Sequence, residues 1–133
     1  MAWMLRFIDN VKVSASQRKL HNEITLLERE KATSHVLRLL QRSAYGKEYE
    51  SLERNEIGKS HLIKQLNLYL DNGLIRCRGR LEKSDLPEES KYPLLLPKGH
   101  PVTLILIREA HEAVAHMGLN ATVAKVRQRY WIT

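Results

Sequence analysis

Apolar residues recur at helical spacing from the start of the chain: Trp3, Phe7 and Val11 repeat every four positions, with Met4 and Ile8 beside them. The pattern predicts the last turns of a helix over Ala2–Val13, its stripe already running at the first residue, as in a chain cut from something longer; a short docked helix is the plainer alternative. Ser14–Asn22 is polar and reads as a connector. Thr25-Leu-Leu-Glu28 is a capping-box pattern, in which hydroxyl and carboxylate satisfy the free N–H groups of a helix start. That helix is expected from Leu26 to about Ser43, with Ala32, Val36, Leu39 and Leu40 buried and Glu28, Arg29, Lys31, Arg38 and Arg42 wet. His35 on it reads as a packing or surface residue. Tyr45, Tyr49 and Leu52 predict a shorter helix after a break near Gly46.

The period then changes. Leu62–Leu81 alternates at period two around Asn72-Gly73, a favoured two-residue hairpin turn because both positions tolerate positive φ. Folding there pairs Leu70 with Ile75, Leu68 with Cys77 and Leu66 with Gly79 on an apolar face, and Tyr69 with Arg76 and Asn67 with Arg78 on the other. Arg76, Arg78 and Arg80 form a row. The row suits phosphate contact, and suits better an edge strand guarded by charge. Cys77 falls on the apolar face, as a small buried hydrophobe rather than a nucleophile or ligand. Glu82–Gly99 is a loop held extended by Pro87, Pro93 and Pro97, with Leu94-Leu95-Leu96 pressed onto the core as an edge segment. Pro101 starts the next helix. Leu104, Ile107, His111 and Val114 trace its inner stripe, and Gly118 ends it. Asn120 caps a last helix, Ala121 to about Arg129, with Val123 and Val126 inward and Lys125, Arg127 and Arg129 outward. The expected fold is α+β: a helical N-terminal segment (1–58), a central β-hairpin with an extended proline-rich loop (59–99), and a C-terminal helix-turn-helix-like pair (100–133).

Composition narrows the classes. At 133 residues and 43% hydrophobic, the chain can build a core. Its longest apolar run, Pro93–Pro97, is far too short to span a membrane, and Arg6 breaks the apolar N-terminus without a cleavage site after it. An intracellular location, cytoplasmic or nuclear, is expected. One cysteine leaves no internal disulfide and favours a reducing compartment. Net charge is +7, concentrated as six basic against two acidic residues over 59–83 and five against two over 98–133. Such a surface favours polyanions such as nucleic acid, or is simply a solvated positive face.

The chemistry-bearing stretch is His111-Glu-Ala-Val-Ala-His116-Met-Gly118. Two histidines make half of a tetrahedral zinc set, whose usual complement is a pair of cysteines. Five residues on a continuous helix turn through roughly 500°, leaving the imidazoles about 140° apart. They converge only if His116 lies past the helix end. With Thr122 and Arg127-x-x-Tyr130-Trp131, this stretch resembles the start of the His-His-Cys-Cys zinc-binding domain of retrotransposon integrases. Leu70-Asp-Asn-Gly-Leu-Ile-Arg-Cys-Arg-Gly-Arg-Leu81, the Leu86-Pro87 loop, Tyr92-Pro-Leu-Leu-Leu-Pro97 and Ile107-Arg-Glu-Ala-His111 are similar to the BEL/Pao branch of those polyproteins. Trp3-Met-Leu-Arg-Phe-Ile8 and the capped helix at Thr25 fit the segment before its integrase domain, so the resemblance spans almost the whole chain.

The resemblance implies a non-catalytic piece of an integrase: the N-terminal region plus the first half of the zinc-binding domain. The family's ligands carry over to His111 and His116 alone. The Cys-x-x-Cys and the three-carboxylate core that follow in such proteins are not among these residues. Zinc is expected in the intact domain, and without the thiolates that dominate affinity it is not expected to be held tightly here. Implied partners are element-end DNA, through Arg76, Arg78, Arg80, Lys125, Arg127 and Arg129, and other integrase copies, with no membrane or small-molecule substrate. The alternative is a host protein derived from such an element, a DNA-binding or protein-interaction adaptor whose basic last helix acts like the second helix of a helix-turn-helix. A small enzyme is disfavoured: there is no glycine-rich phosphate loop, and His111-Glu112 lacks the second histidine at i+4 that a His-Glu-x-x-His hydrolase needs.

Overall fold

The computed structural model describes residues 1–18, 23–56, 60–79 and 85–133. It is an α+β chain that divides into two compact units, Met1–Leu39 and Leu40–Thr133. Among the described residues no helix is long and apolar enough to cross a membrane.

The first unit holds helix α1 (Ala2–Val11), a short 3-10 turn at Ala15–Gln17, and most of helix α2 (Leu26–Ala44). The Thr25 capping box forms as read. Thr25 N–H donates to Glu28 Oε2 at 2.9 Å, and Glu28 N–H donates to Thr25 Oγ1 at 3.2 Å. The amphipathic reading of α1 is reversed, however. Trp3, Met4, Phe7, Ile8 and Val11 are all exposed, and the buried residue is Arg6. Its Nε donates to Glu28 Oε1 at 2.7 Å, its Nη2 donates to the Glu23 carbonyl at 2.6 Å, and a second guanidinium–carboxylate contact closes the fork. Glu28 is thus an inward ion-pair partner rather than a wet residue, because a buried guanidinium must be matched by a carboxylate. On α2 Ala32 and Leu40 are buried as expected, but Leu37 and Gln41 join them in place of Val36, which is half-buried, and Leu39, which is exposed.

The second unit is organised on a four-stranded sheet of order β1 (Leu68–Asp71), β2 (Leu74–Cys77), β3 (Leu94–Leu96), β4 (Tyr130–Ile132). The hairpin register is the expected one, Leu68 opposite Cys77, Tyr69 opposite Arg76 and Leu70 opposite Ile75. Asn72 and Gly73 carry φ of 49° and 74°, the two positive values of a type I′ turn. The ladder is shorter than read. Residues His61–Leu66 form helix α4, which Asn67 closes in the left-handed conformation (φ 48°), so Leu66 and Gly79 are not paired strand residues. Two edge assignments are also overturned. Both β2 and β3 are interior: β2 lies between β1 and β3, and β3 pairs antiparallel with β2 and parallel with β4. The apolar triplet Leu94–Leu96 is buried throughout.

Gln41 locks the centre of this sheet. The β2–β3 ladder has one registered pair, Arg76 with Leu94, and the fully buried Gln41 amide completes it from the side. Nε2 donates to the carbonyls of Ile75 and Leu95, each at 2.9 Å, and Oε1 accepts from Ile75 N–H at 2.7 Å. Around it, Tyr45 and Tyr49, where helix α3 (Gly46–Glu53) begins, pack with Ile63, Leu68, Ile75, Cys77 and Leu95. After the four-residue helix α5 (Glu88–Lys91) and β3, helices α6 (Pro101–Ala113) and α7 (Leu119–Arg127) form the crossover that a parallel β3–β4 pair requires.

Candidate functional site

Pro101 opens α6 as expected, with His100 as its cap: His100 Nδ1 accepts from Val102 N–H at 3.2 Å. The inner face is led by the fully buried Thr103, which donates to the Pro97 carbonyl at 2.8 Å, and not by Leu104, which is exposed. The end of the helix also differs from the reading. α6 stops at Ala113, and Ala115 and His116 take left-handed φ of 49° and 58°. Gly118 (φ 97°) is the N-cap of α7 rather than the end of α6, and Asn120 lies inside α7.

This turn brings the two histidines together. His116 lies beyond the helix, so the 140° separation of a continuous helix does not apply, and the two rings stand 4.6 Å apart, centroid to centroid, at 67°. The rings are in edge-to-face contact, the proximity that sharing one ion would require. His111 is half-buried and His116 exposed, which leaves the pair open on one side.

Thr122, on the first turn of α7, orients the pair. Its Oγ1 donates its one proton to the Gly118 carbonyl at 3.0 Å and lies 2.9 Å from His111 Nδ1. The hydroxyl has one proton: when it goes to the Gly118 carbonyl, Oγ1 accepts from His111 Nδ1–H, and Nε2 keeps its lone pair. An imidazole whose second nitrogen is hydrogen-bonded to an oxygen is the usual form of a metal-ligating histidine. Among the described residues no third His, Cys, Asp or Glu joins the pair. Cys77 stays in the core, where burial pushes its thiol up to about 12, far from the thiolate a metal needs.

The six basic residues singled out by sequence meet different fates. The Arg76 guanidinium is occupied: Nε donates to Asp71 Oδ2 and Nη1 to the Tyr92 carbonyl, both at 2.8 Å. Arg78 is exposed and lies over the Tyr69 ring at 4.5 Å. Arg80 is outside the described residues. Lys125 and Arg127 are exposed on α7 and, among the described residues, have no carboxylate partner. Arg129 pairs with Glu89, Nε to Oε2 at 3.0 Å, with both side chains well exposed. Thr122 carried no orienting role in the sequence reading, although it stands in the motif. Its role depends on the α6–α7 turn, which no periodicity encodes.

No protein-family model matches this chain, and neither a curated protein nor a solved structure is significantly similar to it.

Proposed function

We propose that the chain is a non-catalytic, nucleic-acid-associated module of the retrotransposon-integrase kind, in which His111 and His116 supply two of the four ligands of a structural zinc. The observation that carries the reading is the meeting of the two rings at 4.6 Å across the end of α6, with Thr122 Oγ1 hydrogen-bonded to His111 Nδ1 at 2.9 Å. Zinc, when bound, would tie the end of α6 to the start of α7. A tetrahedral set would need two further donors, and among the described residues no third His, Cys, Asp or Glu joins the pair. Exposed Lys125 and Arg127 on α7 favour the related reading of a host-retained adaptor that meets DNA through this helix.

The test is a zinc titration of the 133-residue chain by calorimetry. The expected result is weak one-to-one binding, lost in His116→Ala, at an affinity about a thousandfold or more below that of a complete four-ligand finger. Tight binding of full-finger strength would overturn the half-site assignment, and so would binding that His116→Ala leaves unchanged.

A further inference from the structure

A groove of about 500 Å³ opens in the second unit, and its walls come from elements far apart in sequence. Leu66 of α4, Cys77 of β2 and Pro93 before β3 give it an apolar floor. Three cations line it: Arg78 just past β2, Lys91 at the end of α5, and Arg127 at the end of α7. Trp131 of β4 lines it too and remains 44% exposed. The tyrosine ring of Tyr69 under the Arg78 guanidinium fixes that charge in place. Lys91, its side chain 16% exposed, has Glu88 at 3.7 Å, a long contact with a carboxylate that is itself 79% exposed.

A positive rim, an apolar floor and an unburied indole are the three parts of a site for a flat, anionic ligand. Guanidinium groups take phosphate, and the indole offers a π-face to a base, which is how single-stranded nucleic acid is held without sequence reading. The volume is in the range of small-ligand pockets, enough for one nucleotide unit at a time. A duplex hides its base faces in the stack and cannot use Trp131 this way. We propose that this groove binds single-stranded nucleic acid, one base stacked on Trp131 with its phosphates between Arg78, Lys91 and Arg127. The inference rests on the nucleic-acid part of the function proposed above but not on the histidine pair or zinc.

The test uses the 133-residue chain carrying Trp3→Phe, so that Trp131 is the remaining indole. It is titrated with a twelve-residue oligothymidylate, the same length of duplex, thymidine monophosphate and inorganic polyphosphate, reading tryptophan fluorescence and, for the Trp131 variants that lack an indole, the anisotropy of a fluorescein-labelled oligonucleotide. The expected result is quenching of Trp131 by the single strand, with affinity falling as salt rises. Arg127→Gln should weaken it several-fold and lower the salt slope by about one. Trp131→Ala should weaken it roughly tenfold or more, and Trp131→Phe, which keeps a ring in the strand, should restore most of the loss. Quenching by the monophosphate at higher concentration would mark the same base-and-phosphate chemistry from a free nucleotide and supports the site. Equal binding of polyphosphate without quenching would overturn it, leaving only a charged surface. Binding of duplex alone, insensitive to Trp131→Phe and Trp131→Ala, would overturn the groove while sparing the DNA-associated reading; absence of any nucleic-acid binding would remove both.

Discussion

Gln41 shows how one buried side chain can stand in for a strand residue. Its amide spends two donors and one acceptor on Ile75 and Leu95, where β2 and β3 share too few ladder bonds to satisfy themselves. Replacing it by Ala leaves two carbonyls and one N–H dry, and each such group costs about 1–3 kcal/mol. Gln41→Ala is expected to lower unfolding stability by about 2–5 kcal/mol in urea titrations. Glu28 gives a second prediction, in pH. The Arg6 guanidinium, and then the Thr25 N–H, hold its carboxyl well below the usual carboxylate range. A group depressed on folding contributes stability that is complete above its unfolded value, near 4.3, and is lost as pH falls through the folded one. Acid titration of helicity should therefore show a loss beginning below about pH 4.5 that Glu28→Gln largely removes. Cys77, its thiol pushed up by burial, should react with thiol reagents at pH 8 only as fast as the fold opens.

At the scale of elements, the α6–α7 turn decides what the histidines can do. Two consecutive non-glycine residues in the left-handed region shorten α6 and swing His116 back over His111. Such conformations cost non-glycine residues about 1 kcal/mol each, so the turn is held by its surroundings, among them the Met117 N–H bond to the Val114 carbonyl at 3.0 Å. Thr122 is the positioning residue. Thr122→Val keeps the shape and removes the acceptor, with an expected cost of about 1 kcal/mol in stability and a ten- to hundredfold loss in zinc affinity. Nitrogen-15 spectra of the imidazole should show His111 protonated at Nδ1 in the parent and shifted toward the Nε2 tautomer in Thr122→Val; Thr122→Ser, which keeps the hydroxyl, should behave as the parent. A parent spectrum dominated by the Nε2 tautomer would remove the oriented-ligand argument.

At the scale of the molecule, charge and exposed apolar surface are distributed unevenly. Of the basic residues read as phosphate contacts, Arg76 serves the sheet and Arg129 meets Glu89, whereas among the described residues Lys125 and Arg127 have no carboxylate partner. DNA affinity should therefore fall clearly in Lys125→Gln/Arg127→Gln and change little in Arg129→Gln. If all three arginine and lysine changes weakened binding equally, a diffuse field rather than α7 would be the contact. Exposed apolar residues collect on α1 in the first unit and, in the second, on α6 and α7 at Leu104, Ile105 and Leu119.

The primary sequence by itself determined the local events: the Thr25 capping box, the Asn72-Gly73 hairpin and its register, the break near Gly46, and Pro101 at the head of α6. Each of these is decided by neighbours within a few residues, where propensity and periodicity act directly. What the tertiary structure decided was which side of a pattern faces inward. The stripe of α1 reads as buried yet is exposed, and the inward residue is Arg6, paired with the carboxylate of Glu28. The triplet Leu94–Leu96 reads as an edge yet is central, because Tyr130–Ile132 returns beside it through a crossover no local rule signals. Likewise the groove that gathers Arg78, Lys91, Arg127 and Trp131 exists only once four separate elements have packed. Burial and convergence are properties of contacts between distant residues, and a one-dimensional pattern carries them only where the partner is already near in the chain.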